Sequence, residues 1–125
     1  MTVELEGVRV LVVEDEFLVA VLIEEILQSA GCVVSGPVSR VADALDAIGC
    51  NTYDAAVLDV NLAGEPIDQV VDALSRRNVP FLFVTGYSAG SLPVEFAERP
   101  RTGKPFKVAE LLGTLSNVVH PPSSK

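Results

Sequence analysis

The chain has 125 residues, one domain's worth, and 49% of them are hydrophobic, so it can bury a core of its own. A formal net charge of −8, from 9 Lys and Arg against 17 Asp and Glu, excludes broad nucleic-acid binding, because neutralising phosphates takes clustered cations. The single histidine, His120 beside Pro121-Pro122, and two cysteines without ligand spacing argue against a histidine base, a phosphohistidine carrier, a His- or Cys-rich metal site and a disulfide framework.

In chain order, residues 1–7 read as an N-terminal extension without the basic-then-apolar pattern of a secretion signal or a membrane span. Apolar runs rich in β-branched residues recur at 8–13, 32–38, 54–58 and 80–84, and the segments between them read as amphipathic helices. The first helix is expected over 16–30, with Val19, Leu22, Ile23, Ile26, Leu27 and Ala30 inward and Gly31 as a left-handed stop. The second runs about 40–48 and stops at Gly49; the third runs near 67–77. Gly90 and Pro93 weaken the fourth, over 88–98, and Pro100 and Gly103 weaken the fifth strand, over 99–103, which belongs at an edge. A final helix over 108–119 carries Leu111, Leu112, Leu115 and Val118 at helical spacing, and a short polar tail covers 120–125. Cys32 and Cys50 fit reduced core or near-core thiols.

A βαβα alternation places the carboxyl ends of parallel strands along one edge of a sheet, where distant residues converge. Four such ends carry chemistry: Glu14-Asp15, Asp59, Thr85 and Lys104. Converging carboxylates repel unless a cation joins them, and oxygen-only donors select a hard ion such as Mg2+. Asp15 and Asp59 fit as direct ligands, Glu14 through water, with a backbone carbonyl just after Asp59 completing the set. Asp59 then suits a nucleophile toward phosphorus, with Lys104 and the Thr85 hydroxyl on the remaining phosphoryl oxygens. Glu16 reads as a helix-start residue.

The motifs Val13-Glu14-Asp15, Leu58-Asp59-Val60-Asn61-Leu62, Val84-Thr85-Gly86 and Lys104-Pro105-Phe106 resemble the receiver domain of two-component response regulators, over 8–119. The resemblance implies a flavodoxin-like, doubly wound α/β fold with a five-stranded parallel sheet in order 2-1-3-4-5. It implies Asp59 as phospho-acceptor, Glu14 and Asp15 as the acidic pair, Asn61 giving a backbone carbonyl to Mg2+, and Lys104 before a cis proline, Pro105. It further implies a histidine kinase or histidine phosphotransfer protein as donor, a downstream protein partner, a cytoplasmic location, and a fourth-helix face on which many receivers form homodimers. Such a protein catalyses only its own phosphorylation and dephosphorylation.

Two positions depart from the family pattern: Ala63 stands where proline is common, and Arg101 where an aromatic switch residue is common. The stretch Phe83-Val84-Thr85-Gly86-Tyr87 resembles a chiefly alphaproteobacterial subgroup marked by Phe-Ala-Thr-Gly, whose members are often stand-alone receivers in stress signalling or phosphorelays. On this reading Gly86, Tyr87, Arg101 and Pro105 form the switch region, with Thr85 reporting phosphorylation through the glycine-containing loop. Phe17, Leu18 and Val21 remain on the outward side of the first helix and fit a docking surface for the phosphodonor. A receiver-fold interaction module that leaves its site unused is the alternative, favoured by Arg101 and Ala63. A haloacid-dehalogenase-like phosphatase fits poorly, since it wants an aspartate where Asn61 stands. Met1 and the polar tail favour a complete chain over an excised receiver.

Overall fold

The computed structural model describes residues 5–60, 62, 65–85, 101–103 and 108–120. The described elements run in the order β1 (Arg9–Val13), α1 (Phe17–Ser29), β2 (Val33–Val38), α2 (Val41–Cys50), β3 (Ala55–Asp59), α3 (Asp68–Arg76), β4 (Phe81–Thr85), β5 (Arg101–Gly103) and α4 (Val108–Val119). Among the described residues the strands all pair in parallel, in the order β2-β1-β3-β4-β5. The α/β class and the parallel sheet match the sequence reading. The weak helix read over 88–98 lies outside the described residues, as does the tail beyond His120.

The central strands are continuous apolar runs because both faces are covered. Alternation divides their side chains. Leu11, Val13, Ala56, Leu58, Phe81 and Phe83 join α2 and α3 residues such as Ala44, Ile48, Val70 and Leu74 in one core. Val10, Val12, Ala55, Val57, Leu82 and Val84 join Ile23, Leu27, Leu111 and Leu115 of α1 and α4 in the other. Phe81 and Phe83 meet edge to face, with centroids 5.6 Å apart. Edge strand β2 is irregular opposite Val12: Gly36 has φ +95°, and a Cβ there would lie 2.8 Å from the Val12 carbonyl oxygen. Only glycine lets the two backbones approach this closely.

Several boundaries differ from expectation for identifiable reasons. Leu5, inside the segment read as an extension, is fully buried in the α1/α4 core, so the packed unit reaches back to it. Gly7 N–H donates to the Gly31 carbonyl at 2.8 Å, tying that segment to the end of α1. Gly31 has φ +94°, as the left-handed stop requires. Gly49 does not stop α2, which runs on to Cys50, and Cys50 is exposed. Cys32 is buried, and desolvation raises the pKa of its thiol. Leu22, read as inward, is 47% exposed: α1 is apolar over so wide an arc that periodicity alone does not fix its inner face. Ile23, Ile26 and Leu27 are buried as read, with Ala20 in place of Leu22, and Val19 and Ala30 pack partly buried against the same core. At the sheet's amino end the Arg9 backbone amide and guanidinium donate to Asp54, holding its carboxyl below the usual carboxylate range. No helix among the described residues is long and apolar enough to cross a membrane.

Candidate functional site

The sheet register builds the site. Val13 of β1 pairs with Leu58 of β3, so the next residues, Glu14 and Asp59, emerge side by side at the carboxyl edge. Asp59 in turn pairs with Val84, which puts Thr85 one position beyond it on β4. Thr85 pairs with Gly103 of β5, and Lys104 is the next residue of the chain. The topology thus directs all four chemistry-bearing strand ends to one edge, although Lys104 itself, like Asn61, Gly86, Tyr87 and Pro105, lies outside the described residues. Arg101 begins β5, paired with Phe83.

The carboxylates of Glu14, Asp15 and Asp59 offer oxygens that all lie within 4.8 Å of one another. Glu14 is 2% exposed and Asp59 6%, while Asp15 is half-buried. Two unit charges this close repel by roughly 3–4 kcal/mol at an effective dielectric near 20, and burial keeps water from relieving it. A cation is the economical remedy, and the all-oxygen donor set fits a hard divalent ion over a soft one. Clefts of about 410 and 370 Å³ also open around Tyr53 and Asn51, but at the amino end of the sheet, away from these carboxylates.

Local backbone geometry explains why Glu14 points inward. Its N–H donates to the Val38 carbonyl at 2.9 Å, prolonging the sheet by one rung, and its carboxylate Oε2 accepts the Glu16 N–H at 3.2 Å. Glu16 occupies the position before α1, as expected of a helix-start residue, but makes no capping hydrogen bond through its own side chain. Phe17 and Leu18, the first two residues of α1, are 74% and 80% exposed beside this edge, and Val21 is half-buried. Two participants escaped the sequence reading. Leu22 joins the exposed apolar strip one turn beyond Leu18. Glu65 binds the start of α2, 24 residues away, a distance at which no local motif signals it.

Comparison with known proteins places this architecture. The response regulator receiver domain family matches residues 10–115. The solution structure of SdrG from Sphingomonas melonis Fr1 is 38% identical, covering 90% of this chain and 97% of that one with a TM-score of 0.81. The receiver domain of PhyR from Erythrobacter litoralis is 26% identical, with coverages of 96% and 98% and a TM-score of 0.80. For the anti-anti-sigma factor PhyR from Bartonella quintana the identity is 25% and the TM-score 0.79; the match covers 94% of this chain but only 51% of that one, about half its length. A search of curated proteins gives no match. With a match spanning most of its length and the parallel sheet that goes with it, the chain belongs to the response regulator receiver domain family.

Proposed function

We propose that this chain accepts a phosphoryl group from a phosphohistidine protein onto Asp59 and conveys the result by protein contact, by onward transfer or as a phosphate sink. The observation carrying this reading is the convergence of the Glu14, Asp15 and Asp59 carboxylates within 4.8 Å at the carboxyl edge of the sheet. Mg2+ is the cation that such a donor set fits, with Glu14, Asp15 and Asp59 as holders and the Asn61 carbonyl as a further donor. When bound, it supplies neutralising charge for an incoming phosphoryl group.

The chain's own residues do the rest. A carboxylate oxygen of Asp59 bonds to phosphorus while the phosphorus–nitrogen bond breaks, its electron pair returning to the imidazole; the product is an acyl phosphate. Hydrolysis later returns the carboxylate and inorganic phosphate. Thr85 and Lys104 hold the peripheral phosphoryl oxygens, since phosphoryl transfer depends mainly on positioning and charge. In this scheme the protein acts only on itself and turns over no diffusible substrate. The donor is a histidine kinase or histidine phosphotransfer protein in the cytoplasm, and the exposed Phe17, Leu18 and Leu22 are where it docks. Similarity to a PhyR stress response regulator, 28% identical, supports a place in stress signalling.

The test is the intact mass of wild type and Asp59→Asn after exposure to a small phosphoryl donor, with and without Mg2+. A Mg2+-dependent adduct on wild type alone is the expected result. An adduct that persists in Asp59→Asn moves the acceptor elsewhere, and a folded wild type that binds no Mg2+ and gains no adduct replaces this reading with the phosphorylation-independent interaction module.

A further inference from the structure

Glu65 lies outside the acidic cluster and serves a different element. Its Oε1 accepts the backbone N–H of Val41 at 2.9 Å, and its Oε2 accepts from the Arg40 guanidinium at 3.3 Å. Val41 is the first residue of α2, and Arg40, the residue before it, supplies no side-chain cap. First-turn amides lack intrahelical partners and carry partial positive charge, so a carboxylate arriving from another segment satisfies the first of them, which a Ser or Asp at position 40, reaching the second or third, would leave open.

The same residue also closes the stretch of chain that leaves Asp59. Glu65 N–H donates to the Leu62 carbonyl at 2.8 Å, the two residues form an isolated antiparallel bridge, and Leu62 is fully buried. The segment from 59 to 65 is therefore held at three places: Asp59 in the sheet, Leu62 in the core, and Glu65 on the start of α2. Of the two contacts that the Glu65 side chain makes, the one to the amide is the stronger tether. Arg40 is 65% exposed against 34% for Glu65, and exposed ion pairs contribute little.

We propose that Glu65 is a positioning residue, which clamps the loop following Asp59 to the N-terminus of α2 and so keeps the acidic cluster in its cation-receiving arrangement. This rests on the reading of Glu14, Asp15 and Asp59 as the Mg2+ site. Releasing the clamp loosens the chain just after Asp59, and apparent affinity falls in proportion to the fraction of molecules in which the Asp59 carboxylate still faces those of Glu14 and Asp15.

The experiment titrates Mg2+ against wild type and four variants and measures each one's urea stability. Glu65→Ala removes both contacts. Val41→Pro removes the amide at a position where proline suits a helix start, after a residue already extended at φ −135° and ψ 152°. Glu65→Gln keeps an oxygen for the amide. Asn51→Ala weakens α2 at its other end, where the Asn51 side chain donates to the Ala47 carbonyl at 3.2 Å, without touching the loop. Glu65→Ala and Val41→Pro are expected to weaken Mg2+ binding about fivefold, the scale of one cap interaction, while Glu65→Gln and Asn51→Ala stay within about twofold of wild type. Unchanged affinity in Glu65→Ala and Val41→Pro overturns the proposal. So does an equal loss in Asn51→Ala, which would make helix stability alone responsible. Wild type that binds no Mg2+ overturns the reading of the cluster and the proposal with it.

Discussion

Asp59 sits where two neighbouring carboxylates repel its own. Its carboxylate is 6% exposed and shares a region under 4.8 Å across with Glu14 and Asp15, so the folded state without a cation carries a repulsion that the unfolded chain largely escapes. Asp59→Asn removes one of the three charges while keeping the shape. In a chelator the variant should be more stable than wild type by about 1–3 kcal/mol, a fraction of the pairwise repulsion after relaxation. Added Mg2+ should stabilise wild type alone, by about 2.7 kcal/mol at a hundred times the dissociation constant, closing or reversing the gap. Urea midpoints with EDTA and with Mg2+ check this; a variant less stable than wild type in EDTA would mean that hydrogen bonding, not charge, governs the site. The three carboxylates were legible because each ends or follows an apolar run, and parallel topology sends such ends to one edge. Glu65 was not, because its partners lie across the fold, on a helix whose own sequence gives no sign of needing them.

At the scale of elements, the period of the sequence located strands and helices well and their inner faces less well. Strands β1, β3 and β4 are apolar on both faces, which marks them as central without saying which residue meets which helix; alternation against two cores settles that only in three dimensions. Leu22 misled for a related reason, lying next to the buried Ile23 on a helix with apolar residues nearly all round. The two glycines read as stops also part company. Gly31 is compelled by its geometry, since a Cβ at φ +94° would also lie 3.0 Å from the Cα of Glu6, whereas Gly49 lies within α2 with nothing within 4 Å. Substitution by alanine should therefore have opposite signs at two sites. Gly31→Ala is expected to destabilise by about 1–2 kcal/mol from the left-handed backbone alone, with the Glu6 contact adding to it. Gly113→Ala, in α4 with open space around the site, should stabilise by about 0.5–1 kcal/mol by reducing the freedom of the unfolded chain. Chemical denaturation of both variants decides; a tolerated Gly31→Ala would show that the end of α1 readily adopts another path.

For the whole molecule, function depends on what approaches one edge. Phe17 and Leu18 follow the acidic residues directly in sequence and open α1, and Leu22 lies a turn further on the same outward side, so an apolar strip about one and a half turns long borders the carboxylate crevice. Large exposed apolar residues gathered on one helix face mark an interaction surface more often than a solvated one. Under the proposed function, a phosphohistidine reaching Asp59 brings its carrier across this edge, whereas a small donor needs no such footing. Leu18→Glu and Leu22→Glu, both at exposed positions, should leave stability within about 0.5 kcal/mol. Each should lower the efficiency of transfer from a histidine kinase or phosphotransfer protein that labels wild type by about tenfold or more, the scale of a central interface residue. Labelling by a small donor should stay within about twofold, because neither side chain belongs to the acidic cluster. The decisive quantity is the ratio of the two rates in each variant. Equal loss of both would place the defect in the crevice itself, and no loss of either would leave the apolar strip to flank packing or to contact with a second copy of the chain.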